Sequence, residues 1–345
     1  MRQNITSIVE SAVTMGVAPS VSVSSGENNY YAGFSDRNFL IPTSEHTLYD
    51  LASLTKIIGT TLALARALVD NRMTLDEQPF GCWPGVSIRN LLAHTSGLAA
   101  HVKFYECAGI SSNFFLNKQI IFKKLFEQRP TNEVNKQRCY SDLNFLALGL
   151  LLEQRFKKPL INIFNDTWEK LEIHHNLSFF DSAHALPEIS NNIASTGLCP
   201  VRGRYICAQV HDLNCYFLGG LAGHAGLFGD LKSIRAFGSF FLACLKKPEN
   251  AYMSLIADFA RLGLGFHKPL VRGSVAALSP QSFGHFGFTG TSLWIDPRAQ
   301  SSAGAYYVIL SNRVASSLRP EGIFLVRRRL HEALAKNRLL LLKRE

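Results

Sequence analysis

Three short stretches of this sequence carry side chains able to work together. The first is Ser53-Leu54-Thr55-Lys56. A serine and a lysine three residues apart share one face of a helical turn. The lysine heads KIIGTTLALARALVD, residues 56–70, in which only Lys56, Arg66 and Asp70 are charged. A helix apolar on nearly every face is a buried one. Burial lowers the pKa of a lysine, and the positive end of the helix dipole disfavours its charge further. Such an amine beside a hydroxyl makes serine a nucleophile without a histidine. Free N–H groups at the same helix start suit an oxyanion. The second stretch is Tyr140-Ser141-Asp142 ahead of LNFLALGLLLE, a loop-to-helix junction that can present a phenol and a carboxylate to a cleft. The third is Gly284-His285-Phe286-Gly287-Phe288-Thr289-Gly290. Glycines at that density let a substrate backbone approach a sheet edge. Taken singly, each stretch also has a structural reading: a surface lysine, a core tyrosine followed by an N-cap, and a glycine-rich strand with a structural histidine.

Together and in this order, the three stretches resemble the motifs of the serine β-lactamase and penicillin-binding-protein superfamily, nearest the class C-like β-lactamase-related serine hydrolases. LYDLASLTKIIGTT, SIRNLLAHTSGL, CYSDLNFLALG, VHDLNCYFLGGLAGHAGLF, FGHFGFTGTSLWIDP and VILSNRV are similar to family segments in family order, so the resemblance covers nearly the whole chain. It implies Ser53 as the acylated nucleophile, Lys56 as the group that takes or relays its proton, and Tyr140 as a second acid/base group. It implies Asp142 in place of the asparagine that holds the lysine and the substrate amide. His285 stands for the third-motif lysine, near the substrate carboxylate or Tyr140, with Gly287 following. The backbone N–H groups of Ser53 and Phe288 would form the oxyanion hole. His211, Asp212 and His224 would line the cleft or brace its loops.

The sequence departs from the pattern at Phe286, where the family has a threonine or serine whose hydroxyl helps bind the substrate carboxylate. Phenylalanine there removes that bond and is expected to narrow the cleft. Asp142 adds negative charge, which either discourages an anionic ligand further or is neutralised by Lys56. Phe286 weakens the case for penicillins and D-Ala-D-Ala as substrates. The expected activity is that of a serine hydrolase acting through an acyl-enzyme on an amide or ester of a small-molecule or muropeptide-like substrate: esterase, D-Ala carboxypeptidase, muropeptide amidase or β-lactamase-like. The alternative, motivated by Phe286, is a catalytically weak β-lactamase-like binding or regulatory protein of cell-wall peptides.

The elements that must hold these residues follow from local pattern. Residues 3–15 have apolar positions at helical spacing and end at Gly16, which predicts a helix. VSVSSGENNYYAGF predicts a hairpin around Gly26-Glu27-Asn28. Residues 80–265 read as mostly helical, with apolar-periodic runs at 120–126, 143–152 and 230–245, and with Asp142 and Asp230 at N-cap positions. HFGFTGTSLWID and AYYVILSNRV read as strands separated by the turn-forming 297–304. A basic helix over 322–343 closes the chain; it could dock on anionic lipid or nucleic acid, but a solvated polar face is the stronger reading. The expected fold is α+β: an antiparallel sheet from both chain ends, flanked by helices, with an inserted mainly helical part. Residues 1–80 with 265–345 would form the sheet-and-helix subdomain and residues 81–264 the insertion, together one catalytic unit.

Composition bounds this reading. The 345 residues are 47% hydrophobic and 18% charged, enough for a sizeable core and against a disordered or fibrous chain. Net charge is +10; its bland reading is a solvated basic surface, and no nucleic-acid partner is expected. Seven cysteines stand without a C-x-x-C pair or a Cys/His cluster at zinc spacing, so no metal is expected, and buried thiols in a reducing compartment are. No G-x-S-x-G, P-loop or post-strand G-x-G-x-x-G occurs, and His331-Glu332 lacks the second histidine of H-E-x-x-H, so no cofactor is expected. The start MRQNITSIVESAV lacks the apolar core of a signal peptide, and no run reaches the ~18 apolar residues of a membrane span. A cytoplasmic location is the expectation; a periplasmic one stays open if the true start lies upstream.

Overall fold

Alternating apolar side chains at both chain ends build one sheet, seen in a computed structural model of the protein. It describes residues 4–26, 28–36, 38, 40–107, 109–182, 192–270, 273–299, 304–316 and 318–341, with side chains as far as Ala335. In chain order the elements are α1 (Ile5–Thr14), β1 (Ser20–Ser25), β2 (Asn28–Gly33), β3 (Tyr49–Asp50), a π-helical turn Lys56–Thr60, α2 (Thr61–Val69), α3 (Ile88–Ala93), α4 (Phe114–Glu127), α5 (Asp142–Phe156), α6 (Leu160–Lys170), β4 (Gly197–Cys199), β5 (Arg204–Ile206), α7 (Leu213–Phe217), β6 (Phe228–Gly229), α8 (Leu231–Lys246), α9 (Ala251–Leu262), β7 (Phe283–Phe286), β8 (Ser292–Asp296), β9 (Ala305–Ser311) and α10 (Ile323–Leu341).

The main sheet has the order β2-β1-β9-β8-β7, antiparallel throughout, with Val21 opposite Ser311 and Leu293 opposite Val308. On β9, Tyr307 and Ile309 pack with Val21 and Val23 against α1 and α10. Tyr306, Val308 and Leu310 face the opposite way, into the cluster that holds Phe237 and Phe241 of α8. A period of two thus loads both faces, and every residue of β8 and β9 is buried. The larger apolar cluster continues without a break from this inner face through α2, α3, α5 and α6. The α+β fold with a sheet from both chain ends is therefore observed.

Local expectations differ from the structure in several places. Residues 56–70 do not form one α-helix: the chain enters as a π-helical turn over Lys56–Thr60 before α2 begins. Asp142 is the first residue of α5 rather than its cap; Ser141 takes the cap position. Asp230 does cap α8, accepting from the Ser233 N–H at 2.7 Å. The stretch 285–296 is two strands, because a tight turn at Gly287–Thr291 folds β7 back onto β8. All seven cysteines are free. No helix among the described residues is long and apolar enough to cross a membrane.

Candidate active site

Ser53 sits on a turn between β3 and the π-helical segment. Ala52 before it holds φ +47°, a left-handed conformation that costs a non-glycine residue on the order of 1 kcal/mol. The Asp50 carboxylate secures it, accepting the Ala52 N–H at 2.8 Å. From this turn the Ser53 hydroxyl meets two groups: Lys56 Nζ donates to Oγ at 2.8 Å and Tyr140 Oη donates to it at 2.9 Å. The Lys56 ammonium also donates to Asp142 Oδ1 at 2.7 Å and to the His224 carbonyl at 3.1 Å. That carbonyl comes near because Gly223 lies directly on α5: a Cβ at Gly223 would fall on the Phe145 carbonyl and the Gly149 backbone. Two of the three sequence motifs meet here, at the Ser53, Lys56, Tyr140 and Asp142 side chains.

The electrostatics correct one expectation. Lys56 is fully buried, and burial is the largest influence on it, pulling its pKa down. Asp142 and, after it, Tyr140 outweigh that pull, and the amine is held above its ordinary value. The expected pKa-lowered lysine ignored the carboxylate that α5 delivers. Burial would raise the Asp142 carboxyl, but Lys56, His101 and His224 hold it far below the usual carboxylate range. Burial pushes the Tyr140 phenol above its usual 10, against the opposing pull of Lys56. The resting pair is thus an ammonium and a neutral phenol.

Behind Tyr140 lie three imidazoles, two of which the sequence reading passed over. Ring centroids of His94, His267 and His285 stand 4.7, 5.3 and 5.7 Å from the Tyr140 ring. Burial depresses all three, His267 to about 3, so they are neutral. His285 has no exposed surface and does not line the cavity beside Ser53. Of the two places expected for it, near the substrate carboxylate or near Tyr140, it takes the second and packs behind the phenol, since β7 turns it into the interior. Phe286 does not narrow the cleft: alternation along β7 points it to the other face, against Trp294 at 5.2 Å and under the Arg327 guanidinium at 4.7 Å. Arg327, counted in the basic C-terminal helix, is buried rather than solvated. It donates to the carbonyls of Gly287 at 2.9 Å and Thr291 at 2.6 Å, pinning the turn after β7. Gly287 permits that turn: a Cβ there would fall on Thr291 Oγ1 and the Leu51 carbonyl.

Ser53, Tyr140 and Asp142 open into a cavity of about 490 Å³, also lined by Asp50, His101, Tyr105, Val210, His211, Asp212, Leu213, His224, Phe288 and Thr289. The Phe288 ring stacks on His211 at 5.6 Å and is itself 61% exposed at the rim. Asp212 caps α7, accepting the Cys215 N–H at 2.8 Å, and pairs with His224 Nε2 at 3.0 Å. His211, Asp212 and His224 therefore both line the cavity and brace its loops. One ligand atom each of His101, Asp142 and Asp212 lies within 4.8 Å of the others, a set able to hold a cation. Asp142 already has its counter-charge in Lys56, and His101 Nδ1 sits 3.4 Å from Asp142 Oδ2. Neither the Ser53 nor the Phe288 backbone N–H has an acceptor among the described residues.

Comparison with known proteins follows the same outline. A D-alanyl-D-alanine carboxypeptidase, provisionally so named, from Salmonella typhi is 25% identical over 317 residues, covering 79% of this chain and 71% of the relative. The solved structure of a hydrolase with promiscuous acyltransferase activity superposes with a TM-score of 0.68 at 20% identity, over 95% of this chain and 97% of its own. A class C β-lactamase structure gives 0.68 at 16% identity over 94% of each chain. At these identities the structural likeness is one of fold. The Beta-lactamase family profile matches residues 1–330, and the chain belongs to that family, whose members are generally serine hydrolases.

Proposed function

We propose that the protein is a serine hydrolase that forms an acyl-enzyme at Ser53. The observation that carries this reading is the Ser53 hydroxyl held at 2.8 Å from Lys56 Nζ and 2.9 Å from Tyr140 Oη at the floor of a cavity. Because Lys56 is held charged, it acts as a fixed cation that stabilises the Tyr140 phenolate formed when the resting phenol gives up its proton to solvent, and the phenolate is the base. Ser53 Oγ attacks the carbonyl carbon as its proton passes to Tyr140. The oxyanion faces the N–H groups of Ser53 and Phe288. Collapse breaks the bond to the leaving group, which takes the proton from Tyr140. Water, deprotonated by the same phenolate, then attacks the acyl carbonyl; collapse breaks the bond to Ser53 Oγ, which takes the proton back from Tyr140, and the acid is released.

Cavity charge narrows the substrate. Asp50, Asp142 and Asp212 line it, and among the described residues no arginine does. With Asp142 paired to Lys56, the carboxylate of a penicillin or a D-Ala-D-Ala peptide would meet the like charge of Asp50 and Asp212. Neutral or amine-bearing esters and amides are favoured. The reading as a catalytically weak binding protein rested on Phe286, whose ring lies outside the cavity lining.

A neutral fluorophosphonate, followed by peptide mass mapping, tests the proposal. The expected adduct is on Ser53, and S53A loses turnover of a p-nitrophenyl ester by at least about a thousandfold. An adduct elsewhere, or turnover surviving S53A, refutes it.

A further inference from the structure

One carboxylate outside the three motifs touches the walls of the cavity from beneath. Asp50 ends β3 and is 2% exposed. Its Oδ1 accepts the Ala52 N–H at 2.8 Å, and its Oδ2 accepts the His211 N–H at 2.7 Å. Its own carbonyl accepts the Thr289 hydroxyl at 2.7 Å, and the next carbonyl, Leu51, accepts the Thr291 hydroxyl at 3.0 Å. The Ser53 turn, the 211–212 loop and the turn after β7 are thus tied to a single residue. The tie to Ala52 matters most, because Ala52 holds its positive φ immediately before Ser53. Relaxation of that residue would rotate the peptide that bears the Ser53 N–H.

We propose that Asp50 is the positioning residue that aims the Ser53 amide into the cavity for acylation. The inference rests on Ser53 being the nucleophile. Only an ionised carboxylate serves both amides, since it offers an acceptor oxygen to each. The carboxamide of D50N offers one oxygen and turns an N–H donor against the other amide, leaving that amide unsatisfied. Protonation of Asp50 weakens one of the two bonds, since the protonated oxygen is the poorer acceptor. Burial, with a smaller push from Asp212 and against the two N–H bonds and Arg202, raises its pKa to about 6. Below that pH the grip on Ala52 and His211 weakens. His211 faces Asp50 through its backbone, and His101, across the cavity, is raised from its usual 6.5 by Asp142.

The test is steady-state hydrolysis of a neutral p-nitrophenyl ester over pH 5–8, alongside fluorophosphonate labelling. The expected D50N variant has kcat lowered about ten- to a hundredfold, the scale of a mis-set oxyanion donor, with KM within about threefold. On top of the climb set by Tyr140, the wild-type chain shows a further acid limb in kcat near pH 6, and D50N lacks that limb. In D50N/A52G, glycine takes the positive φ without strain, and kcat recovers by at least about threefold over D50N. A purely structural role would lower the melting temperature of D50N without removing the limb and would gain nothing from the glycine. A wild-type profile without that limb overturns the inference, a measurement that needs no variant to fold. So does a D50N enzyme with unchanged kcat, or one that keeps the limb. Failure of wild-type Ser53 to be labelled sinks the underlying reading instead.

Discussion

Replacing Asp142 by asparagine separates the charge of the Lys56 partner from its shape. Lys56 has no exposed side-chain surface, and the Asp142 side chain is 18% exposed at 2.7 Å. Removing one partner of a buried ion pair costs about 3–5 kcal/mol. The asparagine of D142N keeps one acceptor oxygen for the amine, which returns about 1–2 kcal/mol. About 2–3 kcal/mol therefore remains as the loss. At about 2.1 cal/mol/K of unfolding entropy per residue, a chain of this length should melt about 3–4 °C lower near pH 7. The same free energy must appear in the protonation of Lys56, where 1.36 kcal/mol is one pKa unit, so the amine titrates about two units lower in D142N. The wild-type amine has a folded pKa raised above its unfolded value. Its contribution is complete below the unfolded value and is lost as pH rises through the folded one. The gap in melting temperature should therefore be widest near neutrality and close at strongly alkaline pH. In kinetics, wild-type kcat/KM should climb through pH 7–9, because the Tyr140 phenol that must ionise is shifted upward while Lys56 stays charged. D142N should turn down about two pH units earlier, where its lysine loses the charge that supports the phenolate. Thermal unfolding and ester hydrolysis across pH 6–10 read both quantities. An unchanged melting temperature, or a lower one with an unmoved pH profile, would refute the argument that Asp142 keeps the lysine charged.

Three further outcomes follow from the same geometry. G287A places a methyl on Thr291 Oγ1 and the Leu51 carbonyl; the turn must shift, and with it the Phe288 N–H, so kcat for a p-nitrophenyl ester should fall about tenfold or more. R327M leaves the carbonyls of Gly287 and Thr291 without their shared donor, which should cost about 2–4 kcal/mol and show as a melting temperature lower by several degrees. Among matched alanyl esters, those with a free or acetylated amine should exceed the succinylated, carboxylate-bearing one in kcat/KM by about tenfold; equal rates would show that Asp50 and Asp212 do not set the cavity's charge preference.

Period-two runs made the hairpin at 20–33 and the strand at 305–311 legible, because each residue's face is fixed by its nearest neighbours. The apolar runs of α5 and α8 were legible for the same local reason. The turn at Gly287–Thr291 was not, since the donor that pins it, Arg327, arrives from the last helix. His94, His101 and His267 carried no pattern; each matters only through Tyr140 or Asp142, residues far off in the chain. Asp50 sat in plain view within LYDLASLTK, but its two amide partners are not visible in a string.

The sequence by itself determined which residue types could meet: the Ser53–Lys56 spacing, the phenol and carboxylate at 140 and 142, and the order that marks the family. Tertiary structure alone decided the charge on the amine, because a carboxylate 86 positions away lies 2.7 Å from it. It alone decided that His285 and Phe286 stand outside the cavity lining. The physical reason is common to both: spacing along a chain fixes local faces, whereas Coulomb energy and solvent access depend on distances through space.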